Sequence, residues 1–151
     1  MDLEIAKRAL ETGIAFVANC GLKVVELRRG YVKCLVPFDG NGNHVGTMYA
    51  GALFTVAEIP GGALFLSSFD TRRYYPIVKS LDLRFVKPAK SDVTIEIALD
   101  DARIAAISAE ADAKGKAEFI LDGEIKTADG TVVATSHGVY QLRAAERVPN
   151  G

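Results

Sequence analysis

Residues 48–69 read MYAGALFTVAEIPGGALFLSSF, a run with a single charge, Glu58, and residues 39–47 directly before it read DGNGNHVGT. The run is long enough to cross a bilayer, but a crossing would put Glu58 near mid-membrane at a cost of about 2.5–3.5 kcal/mol, beside Pro60, Gly61 and Gly62. Its N-terminal side also lacks a flanking excess of Lys or Arg. The reading that follows is a helix over about 48–69, buried inside a protein that does not insert into a membrane. Pro60 cannot donate to the Val56 carbonyl, so a kink is expected there. The glycines and asparagines of 39–47 make a loop that runs straight into the helix.

A helix apolar on every side must be covered on every side, and the remaining chain offers mostly strands to do it. Leu22–Arg28 and Tyr31–Pro37 flank Arg29-Gly30 as a hairpin, with Val32, Cys34 and Val36 on one face, so Cys34 reads as core. After the RRYYP segment, Lys79–Lys87 alternates Leu81, Leu83 and Phe85 against Ser80, Asp82 and Arg84. Val93, Ile95, Ile97 and Leu99 form the inward face of another strand, and the alternating run Ala117, Phe119, Leu121, Gly123 and Ile125 forms a long hairpin with Thr131–Arg143 around Asp129-Gly130. Two further helices are expected. One spans 2–18, with Leu3, Ala6, Leu10, Ile14 and Val17 on its inner face, and the other spans 101–114, between Asp100 and Gly115. Residues Arg147–Gly151 are expected to fray. The fold class is α+β: five or six antiparallel strands curved around one apolar helix, in a single domain over 1–151 with its core at about 20–143. The side of the helix that this sheet leaves open calls for a second subunit.

Composition narrows the function. Eighteen basic and 19 acidic residues leave a net charge of −1, with no general attraction for nucleic acid or an anionic membrane surface. Cys20 and Cys34 are far apart, and His44 and His137 are the only histidines, so neither a disulfide framework nor a zinc site is supported. Mixed charges from the second residue onward do not read as a secretory signal, and the expected compartment is the cytoplasm. Nucleotide-binding fingerprints and a GxSxG elbow are absent.

Three features converge on one spot: a loop with Asn43 and His44, a helix whose first amides lie near Tyr49-Ala50-Gly51, and Glu58 two turns further in. The opening amides of a helix lack intrahelical acceptors and suit an oxygen that gains negative charge in a transition state. Burial among Val56, Ala57, Ile59 and Pro60 should raise the Glu58 pKa towards the range of a general base, and a nucleophilic role on an activated acyl group is equally open. At 1.5 Å per residue, however, Ala50 and Glu58 lie about 12 Å apart along the helix, too far to act on one carbonyl. Two antiparallel copies of the helix across a two-fold axis would bring the Ala50 amide of one chain to Glu58 of the other, which implies a dimer with shared sites. Plainer readings stand beside these: an interface ion pair for Glu58, turn chemistry for Asn43, a solvated or capping role for His44, and a structural role for His137. Between Arg72 and Lys90, six basic residues, Arg72, Arg73, Lys79, Arg84, Lys87 and Lys90, face Asp82 alone. Such a run suits the phosphates of coenzyme A or the acidic face of an acyl carrier protein; a lysine-guarded strand edge is the alternative.

The order of elements and the segment Asn43-His44-Val45-Gly46-Thr47-Met48-Tyr49-Ala50-Gly51-Ala52-Leu53 with Glu58 resemble the hot-dog-fold acyl-CoA thioesterases of the phenylacetyl-CoA and 4-hydroxybenzoyl-CoA type. The likeness is greatest to a bacterial branch of that superfamily whose substrates are unassigned. It covers roughly 20–143, with a weaker echo in Leu83–Ala89. In those groups a His-Gly-Gly opens the helix and its first glycine amide polarises the thioester carbonyl; the stretch here is Tyr49-Ala50-Gly51, which implies Ala50 as donor. The resemblance also implies Glu58 as base or nucleophile and Asn43 beside the attacking water or the carbonyl. His44, Tyr49, Gly51, Ser80, Arg72, Arg73 and Lys87 become candidate substrate contacts. Tyr49 in place of the histidine, Ser80 as the only hydroxyl at 77–80, and the helix at 101–114 depart from the pattern. The implied activity is hydrolysis of an acyl-CoA or acyl carrier protein thioester by a homodimer, or a dimer of dimers, with no cofactor beyond the substrate's own coenzyme A. A non-catalytic acyl or acyl-CoA binding protein is the rival reading.

Overall fold

The computed structural model describes residues 2–146, so the expected fraying of Arg147–Gly151 lies outside the described residues. The chain opens with α1 (Leu3–Thr12) and α2 (Ala15–Cys20), followed by β1 (Lys23–Arg28), β2 (Tyr31–Val36), α3 (Ala50–Ser68), β3 (Tyr74–Phe85), β4 (Val93–Ala98), α4 (Asp101–Lys114), β5 (Lys116–Thr127) and β6 (Val132–Ala144). The six strands form one sheet in the order β1-β2-β4-β5-β6-β3, antiparallel throughout, with β1 and β3 at its edges.

The expected helix over 2–18 is two helices. Asp2 caps the first by accepting from the amides of Glu4 and Ile5. The break falls at Gly13, where a Cβ would stand 2.5 Å from the Ala9 carbonyl oxygen, and at Ile14, whose backbone is extended. Ile14 therefore points to solvent instead of joining Leu3, Ala6 and Leu10 against the core. The strand expected at 79–87 instead starts at Tyr74 and ends at Phe85. It takes in Pro76, which an edge strand tolerates because one side of its ladder is unpaired.

The apolar run forms α3 as expected, and the helix continues through Pro60. Twelve of its 19 residues are buried, and every strand touches it. Both ends are tied down. The Ser68 hydroxyl accepts from the Gly30 amide at 2.9 Å and the Ser68 carbonyl from the Arg29 guanidinium at 3.1 Å, while the Met48 amide donates to Ala89 and the Tyr49 amide to Asn41, each at 2.8 Å. The inner sheet face supplies Val32, Cys34, Val93, Ile95, Ile125 and Leu142, all essentially inaccessible. α4 covers the expected 101–114; Asp100 caps it through the Arg103 amide, and Ile104, Ile107 and Ala111 are its buried residues.

One stripe of α3 stays open: Gly51, Phe54, Glu58 and Gly62. Next to it on the sheet, Val78, Leu81, Leu83 and Phe85 pair with inward-facing Tyr140, Gly138, Ser136 and Ala134, yet they are only half-buried or exposed. Inward-facing apolar residues of an edge strand without cover form a surface suited to another protein.

Leu64, 1% exposed, is among the largest fully buried side chains of the core. Leu64→Ala should lower the unfolding free energy by about 2–5 kcal/mol in chemical denaturation, whereas Arg103→Ala on exposed α4 should change it by less than about 0.5 kcal/mol.

Candidate active site

Residues 37–49 carry the chain from β2 into α3, and Asn43 organises them. Its carboxamide oxygen accepts from the amides of Val45 and Thr47, both at 3.0 Å, and its Nδ2 donates to the Thr47 hydroxyl at 2.8 Å. Its backbone amide donates to the Thr47 carbonyl at 2.7 Å. Gly46, at φ +80°, allows the tight return of the chain that these bonds close. Asn43 thus has one Nδ2 hydrogen left for anything else. Asn41, which sequence reasoning missed, anchors the same loop by donating to the carbonyls of Cys20 and Pro37 at 2.7 and 2.8 Å. Its own carbonyl receives the Tyr49 amide. The only signal for it in the sequence was its place among the loop asparagines.

At the helix start, the amides of Ala52 and Leu53 make the first bonds, to the Tyr49 carbonyl at 3.0 and 3.3 Å. The amides of Ala50 and Gly51 have no acceptor among the described residues, and the Ala50 side is exposed. Two free amides at the positive end of a 19-residue helix are a ready site for an oxyanion. Tyr49 carries no cap bond; its ring folds back so closely that a Cβ at Gly51 would fall 2.5 Å from Cε1. His44 is exposed and makes no hydrogen bond among the described residues.

Glu58 lies on the open stripe of α3, half-buried and with no ion pair or hydrogen bond among the described residues. Burial alone holds its carboxyl above the ordinary range.

The remaining candidates scatter. Ser80 pairs with Val139 after a bulge at Lys79, which places it on the outer sheet face, away from α3. Arg72 is bonded to Asp70, and Arg73 to Asp112 at 2.8 Å while stacking over Tyr74, both at the start of β3. Lys87 lies beyond the other end of that strand, about 40 Å away by strand rise, so one chain gathers no single cradle from the basic run. Lys87 and Lys90 instead line a cleft of about 610 Å³ with Pro88, Ser91 and Thr127. Ala89 between them holds the Met48 amide, which puts this pair beside the start of α3. A second cleft, about 700 Å³, lies on the outer face around His137, whose Nδ1 is 2.6 Å from Asp122; the sheet separates it from Glu58.

One long helix wrapped by a single antiparallel sheet of six strands defines a hot-dog fold. The chain belongs to the family described as Domain of unknown function (DUF4442), whose profile matches residues 3–141. A Pseudomonas aeruginosa protein of unknown function, termed a probable thioesterase, is 50% identical, with 96% of this chain and 97% of that one covered and a TM-score of 0.94. A Haemophilus influenzae thioesterase (12% identity, 99% and 96% covered, TM-score 0.74) and a Chlorobaculum tepidum protein of unknown function (14%, 95% and 94%, 0.77) share the fold. No curated protein matches.

Because burial raises the Glu58 pKa in the folded chain, the native state holds this proton more tightly than the unfolded state does. Its contribution to stability is complete below the ordinary glutamate range and is lost as pH rises through the folded value. Glu58→Gln should therefore match wild type in melting temperature near pH 4 and melt higher near pH 8; a gap that closes with rising pH would contradict the assignment.

Proposed function

We propose that this protein hydrolyses an acyl thioester, and that its active sites are shared between two chains. The observation that carries this reading is the pairing on α3 of two amides without acceptors, Ala50 and Gly51, with Glu58, an acid that burial keeps protonated to higher pH. The name of the 50%-identical P. aeruginosa protein supports thioester chemistry.

In the proposed mechanism the thioester carbonyl accepts from the Ala50 amide, with the neighbouring Gly51 amide as second donor. Glu58 of the second chain takes a proton from water as the oxygen adds to the acyl carbon. The oxyanion collapses, the carbon–sulfur bond breaks, and the thiolate takes back the proton from Glu58, releasing a carboxylic acid and a thiol. Asn43 serves by holding the entrance loop, and Tyr49 by covering Gly51. Lys87 and Lys90 suit the phosphates of coenzyme A, or the acidic surface of an acyl carrier protein, beside the helix start. The second chain is called for by the open stripe at Phe54 and Glu58, by the uncovered inner row of β3, and by the 12 Å separation along one helix that the 1.5 Å rise imposes.

Ala50 is the first helical residue and Tyr49 before it is extended, so a proline fits there and removes only the amide hydrogen. Thiol release from acyl-CoAs of short, long and aromatic chains should fall about 10²-fold or more in Ala50→Pro and in Glu58→Gln. Co-refolding the two inactive variants should restore about a quarter of wild-type activity, because half the dimers then carry one intact site made from both chains. No recovery would place both groups in one chain, and tight acyl-CoA binding without turnover in the wild type would favour the carrier reading.

A further inference from the structure

The core buries few side-chain oxygens, and most of them are paired. Thr55 donates to the Gly51 carbonyl at 2.8 Å, Ser68 accepts from the Gly30 amide, Tyr74 donates to Asp112 at 2.7 Å, and Gln141 bridges Glu118 and Arg143. Tyr140 and Ser136, 4% and 6% exposed, have no hydrogen-bond partner among the described residues. Both stand on the inner face of β6, on either side of Gly138. Buried hydroxyls ordinarily find a partner, and two without one on the same face of one strand mark a place where something else supplies it. No fully enclosed side-chain oxygen or nitrogen among the described residues lacks a partner, so each of these hydroxyls still reaches unfilled space.

Glycines set where that space lies. A Cβ at Gly61 of α3 would stand 3.0 Å from the Tyr140 hydroxyl, and one at Gly138 would stand 3.1 Å from it. The phenol therefore leans along β6 over Gly138, towards Ser136, with its edge against the bare backbone of the helix, and Phe119 stacks on its ring with centroids 5.8 Å apart. The β5 side is sealed: Leu121, opposite Gly138, is buried, and the place of a Gly123 side chain, opposite Ser136, is taken by Ile95 and by the Ser136 hydroxyl itself. On the β3 side Leu81 and Leu83, opposite Gly138 and Ser136, are only half-buried. The hydroxyls thus belong to the floor of the trough between the uncovered inner row of β3 and the open stripe of α3.

A thioester bound in the proposed dimer lies in that trough. Its pantetheine arm has to lead out to solvent beside Lys87 and Lys90, so the part that meets side chains this deeply buried is the acyl chain. A plain hydrocarbon chain covers two hydroxyls and gives them no partner. A chain hydroxyl accepts from one of them and donates to the other, and a keto oxygen accepts from either. Gly61 is three residues beyond Glu58 on α3, about 4.5 Å along the axis, which puts that oxygen on one of the first few carbons from the thioester. Burial pushes the Tyr140 phenol up to about 12, so it stays protonated at neutral pH.

We infer that Tyr140 and Ser136 determine specificity by selecting acyl groups that carry a hydroxyl or keto oxygen close to the thioester. The inference rests on the proposed thioester site, and its test separates the two. The probes are coenzyme A thioesters of equal chain length, plain or with one hydroxyl on successive carbons near the thioester. Calorimetry with Glu58→Gln, which suppresses turnover, should give a Kd at least about tenfold lower for the best hydroxylated chain than for the plain one. That ratio should fall towards one when Tyr140→Phe or Ser136→Ala is added, since each removes a single oxygen and keeps the packing, as an unchanged melting temperature would check. In chains that keep Glu58, the same two substitutions should erase the preference in kcat/KM. Equal affinity for plain and hydroxylated chains, binding of neither, or a loss in the variants that is the same for both would overturn the inference. Failure of the wild type to release thiol from any of these thioesters would overturn the hydrolytic reading, and the affinity ratio would still decide the selectivity.

Discussion

A helix with no polar face constrains everything around it. Nineteen residues from Ala50 to Ser68 contain one charge, so each side of α3 must find apolar cover, and six strands curve to provide it. What the sheet leaves open is a stripe one residue wide per turn, and Glu58 stands in its middle. In the proposed dimer the need for cover and the placement of the acid have the same physical origin: the surface that requires a second copy is the surface where the carboxyl is partly desolvated.

Much of the fold was legible because its signals are local. Alternation in 93–99 and 116–127, the Asp100 and Gly115 caps, and the turns at Arg29-Gly30 and Asp129-Gly130 each depend on neighbours a few residues away. The misreadings arose where a spacing pattern ran across a backbone break, as at Gly13-Ile14, or where strand pairing extended an edge into apparent loop, as at Tyr74–Pro76. Neither depends on side-chain periodicity alone.

The site was legible in part, for the same reason. Free amides at Ala50 and Gly51 and a raised carboxyl at Glu58 follow from position in a helix and from apolar neighbours. Long-range placement did not: the basic run from Arg72 to Lys90 is contiguous in sequence but is stretched along a 12-residue strand, and its first two members are held by Asp70 and Asp112. Gly61, which the sequence shows only as a neighbour of Pro60, is the clearance for a ring 79 positions later. A glycine required by a distant neighbour looks the same, in sequence, as one that merely loosens a turn.

The strand order has a consequence for how this chain comes to be folded. β3 follows α3 immediately but lies at the far edge and pairs with β6, Tyr74 opposite Ala144. During synthesis the apolar helix and its adjoining strand therefore emerge about fifty to seventy residues before the partner that closes the ladder. At the start of that interval α3 has only the β1–β2 hairpin and the N-terminal helices for cover, and β4 and β5 follow one after the other. The nascent chain passes through a state with its most water-averse segment half dressed, where chaperone capture or premature pairing between two such chains competes with folding.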